Sequence, residues 1–288
     1  MIERKVAIIT DAGADLPASK ELQTKFGIDP IIQVPLSINF GNDSYQTGTD
    51  LNNQKFKELI QQTGLIPKTS AFGEDYFCDI YKKHISQGLD IISIHIGENM
   101  SSTIISAKKA ANNFDSHRIT VWDSGTISMA QGFQAIMAQK AATAGETQET
   151  ILKTLDSLKE RTTLRAVVSN IPYLRSSGRV SHLQAIFGTI LNIVPILQID
   201  HNKIITADKV RTSRKTIDWM VDYINEGKEP QHIAIVDFDA SNIADELKNR
   251  LISDASIPTE KIYRGDLGPV TGSHGGPGAW AMITVREK

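Results

Sequence analysis

A single cysteine in 288 residues, Cys78, rules out an intramolecular disulfide and a Cys-x-x-Cys zinc site. An excess of charge of one sign is also missing. Lys and Arg number 31 against 33 Asp and Glu, a net charge of -2 with no basic cluster, so nothing attracts a nucleic acid backbone or an anionic bilayer. Long apolar runs are absent too. The stretch from Ile190 to Ile199 is interrupted by Asn192 and Pro195 and is far too short to cross a bilayer. No basic-then-apolar leader opens the chain. These absences predict a cytoplasmic protein with no transmembrane segment and at most transient membrane contact. The chain also lacks a P-loop, a Gly-x-Ser-x-Gly elbow, a His-Glu-x-x-His pair and a GxGxxG after a strand. No cofactor or metal site is expected, and no internal repeat or low-complexity segment is visible.

What is present is an ordinary globular composition, 40% hydrophobic and 22% charged. A single core stops growing near this length, so two domains are expected. In the first half short apolar runs alternate with helical stretches. Val6–Thr10 ends in the turn-forming Asp11–Asp15 and leads to a helix over 16–26. A strand over 31–40 precedes an amphipathic segment around Phe56, Leu59 and Ile60. The strand over 90–96 runs into Ser101-Ser102-Thr103 and a helix over 104–112; the strand over 119–123 precedes a helix over about 128–144. Such alternation predicts a parallel sheet flanked by helices, with ligands beyond the carboxyl ends of the strands.

From about Thr163 the pattern changes. A strand over 164–169, a loop near 173–177 and an apolar helix through Leu183, Ile186, Phe187 and Ile190 are followed by a hairpin of 195–199 and 204–210 around Asp200-His201-Asn202-Lys203. A helix over 212–226, a strand over 233–238, a helix over 243–252 and strands over 261–264 and 279–285 complete the chain. Hairpins mixed with βα units predict a mixed sheet. The fold class is therefore α/β with two domains, 1–162 and 163–288.

Four segments are candidates for chemistry. The run from Gly268 to Gly278 places His274 and the hydroxyls of Thr271 and Ser273 in the most glycine-dense part of the chain, where the backbone can approach a ligand closely. It reads equally as a connection before the last strand. Thr69 and Ser70 follow Pro67-Lys68, and Ser70 could simply cap a helix carrying Glu74. Ser101, Ser102 and Thr103 sit where a strand hands over to a helix, a place where hydroxyls and N–H groups can hold an anion or merely cap. Arg179, between Gly178 and Val180, could bind a carboxylate, a phosphate or a partner, or be solvated. All of these groups donate hydrogen bonds and none is an obvious strong base. The enzymatic alternative is a stand-alone hydrolase or acyl transferase using Ser101 and His274, with an aspartate such as Asp11 completing a hydrolase triad.

The segments Ile8–Pro17, Pro67–Ser70, Ser177–Ser181 and His274–Gly278 stand in the order and approximate spacing of the DegV family of bacterial fatty-acid-binding proteins, which the chain resembles over essentially its whole length. The resemblance implies a two-domain α/β fold that binds one long-chain, palmitate-like fatty acid and is not itself an enzyme. It also implies a partner. Better-characterised members present the acyl carboxylate to a separate ATP-dependent subunit of a two-component fatty acid kinase, and the acyl phosphate goes toward phospholipid synthesis. Matched residue by residue, the family's carboxylate-binding threonine and serine fall on Thr69 and Ser101, and its glycine-loop histidine on His274. Arg179, Ser70 and Ser102 are accessory or partner-contact candidates. On this reading the hydrogen bonding and partial charge of His274 favour an ionised carboxylate. The sequence departs from the family at Ala12, at Ala71-Phe72-Gly73 and at Ser102 and Ile104, which bears on chain-length or saturation preference because both hydroxyls remain.

Overall fold

The structure, a computed structural model, describes residues 5–180 and 193–288. They form two compact units, one of residues 5–51 and 69–160, the other of 52–68, 161–180 and 193–288.

The first unit is built on four parallel strands, β1 (Val6–Asp11), β2 (Ile32–Val34), β6 (Asp90–His95) and β7 (Ile119–Asp123), in the order β2-β1-β6-β7. All six residues of β1 are buried, as a central parallel strand covered on both faces requires. One face carries Ile9 and Ile91 and packs against Phe77 and Tyr81 of α3 (Glu74–Ser86) and Ala107 and Ala110 of α4 (Thr103–Ala111). On the other lies α5 (Met129–Thr143), buried over most of its circumference. Small residues let α5 come close: a Cβ on Gly132 would stand 2.7 Å from the carbonyl oxygen of Ala14.

Strand pairs β1/β6 and β6/β7 arise where apolar runs predict them. The single strand predicted over 31–40 is instead two. β2 joins the parallel sheet, whereas β3 (Ser37–Phe40) pairs with β4 (Asp43–Gln46) in a separate sheet ordered β4-β3-β5, β5 being Lys68–Ser70. Pro35, which has no N–H to give to a ladder, stands at the break. The helix predicted over 16–26 is also shorter, a turn at Ser19–Glu21 (α1) that widens over Leu22–Phe26 and ends at Gly27 with φ 68°.

The second unit holds six strands ordered β10-β9-β8-β13-β11-β12. They are β8 (Thr162–Val167), β9 (Val194–Asp200), β10 (Lys203–Val210), β11 (Pro230–Phe238), β12 (Ile262–Asp266) and β13 (Ala279–Arg286). Only β11 and β12 run parallel, so the sheet is mixed, as predicted. His201 and Asn202, with φ 44° and 69°, make the tight hairpin between β9 and β10. Ile217, Met220 and Ile224 of α8 (Ser213–Asn225) and Ala244, Leu247 and Leu251 of α9 (Ser241–Ser253) fill the core with Ile233 and Ile235. Helix α2 (Asn53–Thr63) belongs to this unit because Phe56 packs on Phe238 with ring centres 5.4 Å apart, while Lys57 pairs with Asp239 at 3.0 Å. The segment 173–177, predicted as a loop, is helical up to Ser176 as part of α7 (Ile171–Ser176). The apolar helix predicted through Leu183, Ile186, Phe187 and Ile190, and Ser181, lie outside the described residues.

Candidate functional site

In the first unit the strand order puts β2 on one side of β1 and β6 and β7 on the other, so the chain turns opposite ways after β1 and after β6. A crevice at the carboxyl ends of such a pair is where open α/β sheets take ligands. Ser101 lies on the loop that leaves β6 there. It is half-buried; its Oγ lies 2.8 Å from Thr103 Oγ1 and accepts the Thr103 N–H at 3.2 Å. Capping at the start of α4 thus falls to Ser101, and the exposed Ser102 caps nothing through its side chain.

Thr69 is the half-buried centre of β5, between exposed Lys68 and Ser70. The capping role open to Ser70 is not realised: α3 starts at Glu74 behind Gly73, and Ser70 Oγ accepts from Asn39 Nδ2 at 3.1 Å instead. Thr69 therefore lies in the sheet β4-β3-β5 and Ser101 on a loop that leaves the parallel sheet, both in one unit.

Arg179 and His274 belong to the second unit. The glycine-rich segment predicted as a loop is largely a short helix, α10 (Pro269–Gly275), with His274 in its last turn. Pro269 opens it with a fixed φ, and Gly276 closes it at φ 71° and ψ 173°. The two neighbouring hydroxyls are spent on the helix itself: Thr271 Oγ1 donates to the Gly268 carbonyl at 3.1 Å and Ser273 Oγ to the Pro269 carbonyl at 2.6 Å. Gly276 fits because Tyr173 of α7 lies against it; a Cβ there would stand 2.6 Å from the ring. Arg179 follows α7 after Gly178, which has φ 69°. Its Nη1 donates to the Ser177 carbonyl at 2.5 Å, and although the residue is exposed as a whole, burial around the guanidinium lowers its pKa.

Arg179 and His274 are close enough to interact. Burial pushes the His274 imidazole down to about 4, and the Arg179 charge adds to the push. Part of the ring's residue still reaches solvent, but its surroundings are dense. The ring is therefore neutral at pH 7, a donor at one nitrogen and an acceptor at the other, which corrects the expectation of a partial charge. The native pKa lies below the unfolded value of 6.5, so the unfolded chain binds a proton first as pH falls. The contribution to stability is present above 6.5 and is lost progressively toward about 4. Nitrogen NMR is expected to show a neutral His274 ring down to about pH 5.5, and His274→Asn should flatten this part of the stability curve; titration near 6.5 would contradict both.

Sequence reasoning names Asp11 only as an imagined triad member and misses its real neighbours. Asp11 Oδ2 lies 2.9 Å from His95 Nδ1, and His95 Nε2 lies 2.7 Å from Ser93 Oγ; all three residues have no exposed surface. With Nδ1–H donating to the carboxylate, Nε2 of a neutral ring accepts the serine proton. The arrangement resembles a hydrolytic triad, but it is sealed under Phe77, whose ring meets His95 edge-on at 5.3 Å. The hydroxyl of Tyr81 lies near Ser93 without making a hydrogen bond of normal geometry, and burial raises its pKa. Nearby, Ser128 Oγ donates to Asp15 Oδ2 at 2.6 Å, with both residues at positive φ, 59° and 46°. Such backbone strain concentrates around functional sites. The available signal is Ser93 and His95 two apart in a mainly apolar strand, which puts both on one buried face.

Among the described residues, no group of three or more His, Cys, Asp or Glu could hold a metal ion. No helix among them is long and apolar enough to cross a membrane.

Comparison with known proteins agrees with this architecture. A DegV domain-containing protein of Caldanaerobacter subterraneus subsp. tengcongensis is 30% identical over 287 residues, 99% of each chain. The crystal structure of DegV, a fatty acid binding protein from Bacillus subtilis, superposes with a TM-score of 0.85 at 28% identity, covering 99% of this chain and all of that one. A Thermotoga maritima protein whose structure reveals a fatty acid binding function gives a TM-score of 0.80 at 26% identity, over 98% of this chain and 99% of its own. The profile described as "Uncharacterised protein, DegV family" matches residues 5–287, nearly the whole length, and the chain belongs to the DegV family.

Proposed function

We propose that this protein binds a long-chain fatty acid and presents its carboxylate to a separate ATP-dependent fatty acid kinase, whose acyl phosphate product goes to phospholipid synthesis. The protein acts as a carrier subunit and not as an enzyme. The observation that carries this reading is the whole-chain likeness to fatty acid binding DegV proteins, combined with hydroxyls at Thr69 and Ser101. These two take the carboxylate; His274, neutral and able to donate, is the ligand-binding candidate of the second unit. Arg179, Ser70 and Ser102 are left for accessory or partner contacts.

Magnitudes favour a carrier. Burying an acyl tail contributes roughly 0.8 kcal/mol per CH₂, so about 14 methylenes make on the order of 10 kcal/mol available before ordering costs. Two hydroxyl hydrogen bonds contribute only about 1 kcal/mol each. The tail sets affinity and the polar end sets orientation, as a protein that must keep the tail dry and offer the carboxylate requires.

Incubating the purified protein with palmitate, ATP and the kinase subunit from the same cell should yield acyl phosphate that neither protein makes alone. Turnover of acyl esters by the protein alone, abolished by Ser101→Ala, would replace the carrier reading with a hydrolase.

A further inference from the structure

The Asp11 carboxylate ends β1 with no exposed surface and is surrounded by donors. Gly13 N–H reaches Oδ1 at 2.9 Å and Gln131 Nε2 reaches it at 3.2 Å; Ile96 N–H reaches Oδ2 at 3.1 Å beside His95 Nδ1 at 2.9 Å. Burying a carboxylate with its partners is not a route to stability that an apolar residue could not match. What this arrangement supplies is position, because two of the four donors are backbone groups of the loops that leave β1 and β6.

The second of those loops carries Ser101. Asp11 fixes Ile96. The next N–H, of Gly97, donates to the Thr126 carbonyl at 2.9 Å, and the Gly97 carbonyl accepts from Met100 N–H at 2.8 Å and Ser101 N–H at 3.2 Å. Hydrogen bonds thus follow one another from the Asp11 carboxylate to the backbone of Ser101. The Ile96 side chain fills the space a Cβ of Gly13 would need, 2.4 Å away, so the two loops also interlock. His95 cannot swing off its carboxylate, being held by Ser93 and backed by Phe77. Gln131 closes the far side, bonded to Thr10 Oγ1 at 2.9 Å as well as to Asp11.

We infer that Asp11, clamped by His95 and Gln131, is a positioning residue for Ser101: through Ile96 and Gly97 it sets where the Ser101 hydroxyl meets a ligand carboxylate. This rests on the reading of Ser101 as a carboxylate-binding group.

The test is a double-mutant cycle read as the preference for palmitate over 1-hexadecanol, measured by displacement of a fluorescent fatty acid, with unfolding midpoints recorded beside it. Ser101→Ala should reduce that preference roughly fivefold. Asp11→Asn should reduce it by a similar factor, and the two together by no more than Ser101→Ala alone, because one acts through the other. A role in folding alone would lower the midpoint and leave the preference unchanged. If Asp11→Asn does not fold, Gln131→Met, which removes one clamp and leaves the charge, is expected to show a smaller loss that again vanishes in the Ser101→Ala background. Additive losses, or a preference untouched by the folded clamp variant, overturn the inference alone. An unchanged preference in Ser101→Ala overturns the assignment of Ser101 and this inference with it.

Discussion

Replacing both Thr69 and Ser101 by alanine is expected, on the proposed carrier function, to leave a lipid-loaded protein whose bound fatty acid the kinase subunit phosphorylates roughly a hundredfold more slowly. The two losses differ in kind. On that reading each hydroxyl contributes about 1 kcal/mol of hydrogen bonding, so affinity falls by roughly thirtyfold for the pair, against the much larger contribution of the buried tail. Phosphoryl transfer depends on where the carboxylate points, and a misplacement of about 1 Å can cost on the order of a hundredfold. Ser101 also accepts the Thr103 N–H at the start of α4, so its loss costs about 1 kcal/mol of stability as a missing cap. Ser101→Thr, which keeps a hydroxyl, controls for that and should recover most of the phosphorylation. Equal proportional losses of binding and phosphorylation would contradict the division between tail and head.

Gly276→Ala is expected to be the most damaging single methyl in the second unit. At φ 71° and ψ 173° the residue occupies a region almost reserved for glycine. The added Cβ would also meet Tyr173 at 2.6 Å. Strain and overpacking together cost about 2–6 kcal/mol, a large share of the stability of an ordinary domain. A melting temperature lower by about 10 °C should result. Because Gly276 closes α10, the chemical shifts of the His274 ring should move in any folded fraction. Gly73→Ala is the control, since its Cβ would meet nothing within 4 Å, and it should change stability by less than about 1 kcal/mol. Equal stability of the two variants would mean that Tyr173 and Gly276 do not constrain each other.

The elements legible in the sequence are those whose pattern has one physical reading. Val6–Asp11 and Asp90–His95 are mainly apolar runs bounded by turns, and they become the buried centre of a parallel sheet. Misreadings arise where a local signal competes with a longer-range one. Pro35 splits an apolar stretch between two sheets, and the glycines of α10 suggest a loop although Pro269 starts a helix and Phe56, Phe238 and Tyr173 pack so closely that side chains would not fit at Gly272 and Gly276. Thr69, Ser101 and His274 emerge as a set only through resemblance to a family, because their positions in sequence have no common spacing. The Asp11–His95–Ser93 chain escapes for a related reason. Asp11 and His95 are 84 positions apart and are brought together by the register of β1 on β6, which pairs Thr10 with Ile94.

The carrier account is tested most directly by mass spectrometry of an organic extract from protein purified without detergent or added lipid. The account predicts one dominant class of long-chain fatty acid, as the free acid, at close to one chain per protein, and its disappearance after delipidation with recovery on adding palmitate. An extract with no acyl chain, from protein that also fails to take up palmitate, would contradict it.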